Sequence, residues 1–158
     1  MVKNVVFAGL GGQGVLKASD ITASAALIAG FDVKKSELHG MSQRGGSVTS
    51  DVRFGDAVLS PMTPPGEADY LVVIAPDQVE INRWQLRQGG VLIEPSIIDM
   101  GALTNKKAVN VALLGALSVQ LDIDGVAWAQ AIREHLDERH HEVNLAAFEL
   151  GRKSAERR

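Results

Sequence analysis

The chain has 158 residues, a formal net charge of −3 and no cysteine. That is enough chain for one domain with a real core, and its mild acidity gives no bulk attraction to polyanions. Without cysteine it forms no disulfide, lends no thiolate to zinc and ligates no iron–sulfur cluster, so a redox role needs its electron carriers elsewhere. Residues 3–8 form a β-branched run ending in glycine and predict a buried parallel strand. Residues 15–29, rich in small side chains (Ala18, Ala23, Ala25, Ala26), predict a helix that lies close to a sheet and stops at Gly30. A second strand is expected over 32–36, followed by a polar loop over 40–46. The alternation of Val48, Val52 and Phe54 with Thr49, Asp51 and Arg53 predicts a strand over 47–54. With a turn at Gly55-Asp56 and a strand over 57–60, it makes a β-hairpin.

Pro61, Pro64, Pro65 and Gly66 mark a loop. Beyond it the pattern gives a buried strand over 70–75, a helix over 76–86, a turn at Gly89-Gly90 and a strand over 91–94. Helices follow over 110–121, 125–135 and 144–152, the last capped by Asn144. The domain spans 1–152, and the charged tail 153–158 is expected to fray. The class is α/β: three layers, α/β/α, with a Rossmann-like, mixed but mostly parallel sheet carrying an inserted hairpin. The first seven residues are too short and too quickly followed by glycine for a signal peptide. The longest apolar runs, 109–120 and 21–30, fall short of a bilayer span. A cytoplasmic protein without membrane partners is expected. Aromatic residues, 4% of the chain, are too sparse for nucleic-acid stacking platforms.

Two glycine-rich patches stand out. The first, Gly9-Leu10-Gly11-Gly12-Gln13-Gly14, lies between the first strand and the first helix. There Gly9 would allow a tight turn, Gly11 a close backbone approach to phosphate, and Gly14 close helix–sheet packing. The helix N-terminus can hold an anion, but a strand-to-helix crossing can need the same glycines with no ligand at all. Glu37 stands about where a dinucleotide fold places its ribose acid, yet Lys34 and Lys35 precede it and the loop after it is unlike a ribose site.

The second patch is His39-Gly40-Met41-Ser42-Gln43-Arg44-Gly45-Gly46-Ser47. Arg44 can donate paired hydrogen bonds to a carboxylate or phosphate, with the Gly45 and Gly46 amides beside it. His39 can donate a hydrogen bond or move a proton near neutral pH. The alternatives are an ion pair of Arg44 with Glu37 or Asp51, and a His39 that only bonds local backbone. Ser42 and Ser47 lack a nucleophile-elbow context. His135, His140 and His141 do not match a common structural zinc spacing and read as surface residues. Glu67 and Asp69 read as caps or solvated acids, and Glu94 and Asp99 as strand-end groups. Trp84 and Trp128 read as core or subunit-interface anchors.

At these residues the chain resembles the gamma subunit of thiamine-diphosphate-dependent 2-oxoacid:ferredoxin oxidoreductases, a unit fused as one domain (domain III) in pyruvate:ferredoxin oxidoreductase. The likeness rests on Gly9 to Gly14, on the run from Lys35 through Arg44-Gly45-Gly46-Ser47-Val48, and on Ser60-Pro61 with Gly66-Glu67-Ala68-Asp69. It continues in Asn110 with Leu113-Leu114-Gly115-Ala116 and over 144–151. The form of the second patch is most similar to the beta subunit of indolepyruvate:ferredoxin oxidoreductase.

The resemblance implies a subunit, inactive alone, of an enzyme that decarboxylates aryl-2-oxoacids to acyl-coenzyme A and passes electrons to ferredoxin. It implies a large partner carrying thiamine diphosphate, Mg2+ and the iron–sulfur clusters, while this chain holds no metal. It implies that Gly9, Gly11, Gly12, Gln13 and Gly14, with Ser42, Gln43, Arg44, Gly45 and Gly46, meet coenzyme A or the partner. His39 and Arg44 are the candidates nearest to chemistry. An isolated chain could pair with itself. A stand-alone phosphate-ligand module and an NAD(P)-dependent reductase are the alternatives. The family's usual extra strand and helix between residue 97 and Asn110 are shortened or absent here, which is expected to bare a sheet edge.

Overall fold

The computed structural model describes residues 1–40 and 46–157. Five strands form one sheet: β1 (Val2–Leu10), β2 (Asp32–His39), β3 (Ser47–Gly55), β4 (Ala68–Val73) and β5 (Leu86–Ile93). Their order is β2-β3-β1-β4-β5. β1 pairs in parallel with β4, and β4 with β5, whereas β3 is antiparallel to both β1 and β2. The sheet is therefore evenly mixed rather than mostly parallel. The hairpin is also differently placed. It joins β2 to β3 across the glycine-rich loop, with Lys35 opposite Val52 and His39 opposite Val48. Residues 57–60 form no strand, because side chains take up their backbone. The Asp32 carboxylate accepts from the Val58 amide (2.8 Å), and the Arg53 guanidinium donates to the carbonyls of Ser60 (2.8 Å) and Met62 (3.3 Å).

The helices are α1 (Val15–Ile28), α2 (Val79–Asn82), α3 (Val109–Ser118), α4 (Gly125–His135) and α5 (His141–Glu156). The β1–α1–β2 connection crosses the sheet in one direction, and the β4–α2–β5 connection in the other. Right-handed crossovers leaving in opposite directions lie on opposite faces. On the α1 face, Val5, Phe7, Val52, Val72 and Ile93 join one core with α3, α4 and α5. On the other, Val6, Ala8, Leu71 and Val73 meet only Val79 of the short crossover, with Leu86 and Leu92 at its margin. The expected three layers are thus two full layers and a fragment. The predicted helix over 76–86 is α2, four residues long, between 3-10 turns at Pro76–Gln78 and Arg83–Gln85. Gly89 and Gly90, expected to turn the chain, lie inside β5. Gly89 has φ +77° there, and the register slips between the pairs Ala68–Leu86 and Tyr70–Val91, as in a bulge.

From β5 the chain reaches α3 through three 3-10 turns, Pro95–Ile97, Met100–Ala102 and Lys106–Ala108, with no strand beyond β5. α3 and α5 pack closely at two glycines. A Cβ on Gly115 would stand 1.9 Å from the Phe148 carbonyl oxygen, and one on Gly151 would stand 1.7 Å from that of Ala112. The charged tail continues α5 to Glu156 instead of fraying from Lys153. Asn144 lies inside α5, its amide donating to the His140 carbonyl (2.9 Å), so it is not the helix cap. Trp128 is fully buried against Phe148 at 5.6 Å between ring centroids, whereas Trp84 is exposed.

Candidate functional site at the switch point

The two crossovers diverge between β1 and β4. In open α/β sheets, ligands bind beyond the carboxyl ends of the strands at such a point. Here the strand ends are followed by the first glycine patch. Gly9 sits where a Cβ would lie 2.8 Å from Val15 Cγ2 and 2.9 Å from Gln13 Oε1, so α1 can begin tight against β1 only without one. Gln13 turns its side chain inward. Its Oε1 accepts from the Leu10 backbone amide (2.7 Å), and the Gln13 backbone N–H donates to the Leu10 carbonyl (3.2 Å). Gly12 and Gly14 take φ of +86° and +82°, values that other residues rarely adopt. Gly14 is the residue from which α1 starts, and its carbonyl accepts both the Ala18 amide (2.9 Å) and the Asn110 side-chain amide (3.3 Å).

Gly12, Gln13 and Gly14 line a cleft of about 510 Å³ with Ile74, Lys106, Lys107 and Asn110. Two helix beginnings meet there, those of α1 and α3, with their first-turn amides and positive dipole ends. Asn110 is 7% exposed and belongs to the cleft wall. Lys106 donates to the Met100 carbonyl, while Lys107 makes no ion pair among the described residues. The arrangement offers amides, one carboxamide and ammonium groups to an anion, and among the described residues no carboxylate lines it. Sequence reasoning placed the glycines here but missed the lysines and Asn110. The one available signal was Asn105-Lys106-Lys107 just before an apolar helix, where the Asn105 side chain caps the turn by accepting the Lys107 amide (3.0 Å).

The second patch approaches the first. The Gly11 amide donates to the Gly46 carbonyl (2.9 Å), and Gly40 N–H to the Ser47 carbonyl (2.7 Å). Gly11, Gly12 and Gly14 line a smaller cleft of about 240 Å³ with exposed His39. Ser42, Gln43, Arg44 and Gly45 lie outside the described residues. Glu37 stands apart on the edge strand, separated from β1 by β3, with Lys35 Nζ at 2.7 Å. Burial disfavours the Lys35 ammonium, but the hydrogen bonds it donates to the Asp20 (2.6 Å) and Glu37 carboxylates outweigh this and hold its pKa above the usual lysine value.

The remaining candidates have local roles. Asp69 accepts the Asn4 amide (2.8 Å) and Arg87 Nε (2.7 Å), tying β1 and β5 to β4. Glu94 caps the turn after β5 by accepting the Ser96 amide (3.0 Å). The Asp99 amide donates to Ser154 Oγ (3.3 Å). His135 Nε2 pairs with Ser24 Oγ (2.6 Å), and His141 Nε2 with the Leu136 carbonyl (2.6 Å). Among the described residues no group of three or more His, Cys, Asp or Glu side chains could hold a metal ion, and no helix is long and apolar enough to cross a membrane.

Residues 4–154 match the family model described as pyruvate ferredoxin/flavodoxin oxidoreductase. The chain is 34% identical to indolepyruvate oxidoreductase subunit IorB of Thermococcus kodakarensis, over 96% of this chain and 95% of that protein. The alignment spans 194 positions, more than the chain has residues, so stretches of the relative have no counterpart here. The crystal structure of a keto/oxoacid ferredoxin oxidoreductase gamma subunit from Geobacter sulfurreducens superposes with a TM-score of 0.83 at 26% identity, covering 99% of both chains. The 2-oxoglutarate:ferredoxin oxidoreductase of Magnetococcus marinus, solved with 2-oxoglutarate, coenzyme A and succinyl-CoA, shares the fold with a TM-score of 0.86 at 20% identity. There the match covers 99% of this chain but 31% of that one. The chain belongs to the pyruvate ferredoxin/flavodoxin oxidoreductase family.

Proposed function

We propose that this chain is the non-cofactor-bearing subunit of an aryl-2-oxoacid:ferredoxin oxidoreductase of the indolepyruvate type, and that its switch-point cleft receives a phosphate-bearing part of coenzyme A. The observation that carries the reading is the convergence of the Gly12–Gly14 turn, Lys106, Lys107 and Asn110 on one cleft that no carboxylate lines among the described residues. Near-full-length likeness to an indolepyruvate oxidoreductase subunit supports the substrate class. The chain has no cysteine to ligate an iron–sulfur cluster, so the reading gives thiamine diphosphate, Mg2+ and the clusters to a large partner subunit, which passes electrons to ferredoxin. The role left to this chain is to bind and orient. Lys107 and the α1 amides neutralise phosphate, and Asn110 keeps the rim of the turn in place. The hairpin is tied to the first glycine turn by the bond from Gly11 to Gly46, and His39 lines the adjoining smaller cleft.

A stand-alone dinucleotide enzyme fits less well. Glu37, the one acid spaced for a ribose, is paired with Lys35 two strands away from β1. The test is co-expression with the large subunit, followed by assay of indolepyruvate- and coenzyme A-dependent ferredoxin reduction. Lys107→Ala should raise KM for coenzyme A and leave KM for the 2-oxoacid unchanged. An isolated chain that binds NADH and captures no cluster-bearing partner overturns the reading.

A further inference from the structure

The sheet face opposite α1, α3, α4 and α5 is the incomplete one, and it carries a second cleft unrelated to the switch point. This cleft, about 380 Å³, runs between the outer side of the β2–β3 hairpin and the loop and crossover after it. Its walls are Leu38 (71% exposed), Met62 (64%), Ile81 (58%) and Trp84 (62%). Isolated surface hydrophobics are ordinary, but four large ones around one concavity are not. The walls are braced. Arg53 holds the Ser60–Met62 backbone, Pro64 and Pro65 stiffen the next step, and the crossover that covers Val73 with Val79 turns Ile81 and Trp84 outwards.

Of the two acids at the cleft, Glu37 turns its side chain to the α1 face, where Lys35 holds it at 2.7 Å, so among the described residues Asp51 is the charged side chain that faces the cleft. The Asp51 carboxylate accepts the Thr63 amide (2.9 Å) and is partly withdrawn from solvent. An occupant must therefore be apolar with a cationic flank: an aliphatic or aromatic anchor against Trp84 and a basic side chain reaching Asp51. The cleft also includes Leu38 and Ser47, close to the two feet of the glycine-rich loop, so whatever fills it abuts the hairpin that borders the proposed site.

Resting on the functional reading above, we infer that this face is the docking surface for the large subunit, which seats an apolar, basic-flanked segment in the cleft and supplies the layer that the crossover leaves unfinished. Binding of the purified large subunit to this chain is measured in a Trp128→Phe background, where Trp84 is the sole tryptophan. Its emission should shift to the blue on complex formation. The double substitution Ile81→Ser with Met62→Ser, at exposed positions, should weaken binding at least tenfold with an unchanged melting temperature. Asp51→Asn should weaken it less and reduce its salt dependence. Val126→Ser, exposed on α4, should bind as the parent does. If the parent binds while the cleft variants are folded and bind equally well, the docking assignment falls and the functional reading stands. A parent that captures no large subunit overturns the functional reading. Self-association lost in the cleft variants without any change in large-subunit binding assigns the cleft to a second copy and also overturns the proposal.

Discussion

Asn110 donates its side-chain amide to the carbonyl of Gly14, at 3.3 Å, across 96 residues of sequence. The contact joins the first turn of α3 to the residue that starts α1, so the two helix beginnings share a fixed separation. A Cβ on Gly14 would stand 2.4 Å from that same amide nitrogen, and the backbone there has φ +82°. Gly14→Ala therefore meets both strain and a clash. It should cost more than the ~1 kcal/mol ordinarily lost when a side chain is forced into left-handed backbone, read by urea denaturation. Asn110→Ala should cost about 1 kcal/mol, a typical net hydrogen bond, and should raise KM for coenzyme A in the assembled enzyme.

The α3–α5 crossing should be less forgiving. Added methyls at Gly115 or Gly151 would lie within 2 Å of backbone oxygens, which cannot rotate away as a side chain can. Gly151→Ala should destabilise by about 3 kcal/mol or more, the upper end for overpacking. Gly125→Ala, where nothing lies within 4 Å of the new atom, serves as the tolerated control. Thermal melts of the two variants separate them.

Trp128 has its ring nitrogen buried without a hydrogen-bond partner. Trp128→Ala should lose ~3–5 kcal/mol, as for other large aromatic truncations. Trp128→Phe should lose far less, because it removes an unsatisfied N–H along with some packing. A Phe variant as damaged as the Ala variant would show that the indole contributes a polar interaction.

Burial raises the pKa of Asp51 above its ordinary value of 3.8, against the opposing pull of the Thr63 amide and Arg53. Below that value the group is protonated in both folded and unfolded chains. As pH rises through the unfolded value the unfolded chain ionises first, so this residue withdraws stability, and the loss persists at neutral pH once both forms have ionised. Asp51→Asn should match the parent near pH 3 and exceed its stability at pH 7, measured by urea titration at both. Equal stability at both values would remove burial as the dominant cause.

Legibility from sequence followed the range of the interactions. The β1 strand and the α1 helix were plain because their patterns are local and their glycines punctuate them. Residues 57–60 look extended, yet they are captured by Asp32 and Arg53, whose reach no local pattern reveals. The antiparallel insertion of β3 between β1 and β2 is a pairing choice over long sequence distance, and so the local pattern alone predicts a more parallel sheet than the one formed. The glycines of the site were visible as unusual spacing. Lys107 and Asn110 were not, because they reach the cleft only when α3 is brought beside the α1 turn.

Opposite-face crossovers leave the chain with one finished side and one thin one. The finished side holds the larger core, including Phe7, Ile21, Leu113, Leu117 and Trp128, all fully buried within a single polypeptide. Such a chain can fold before it meets any other, and complex formation then becomes the joining of ready-made parts rather than a folding step. Amides of β1 and α3 should exchange with deuterium only on the slowest timescale in the lone subunit, and those around α2 on a faster one.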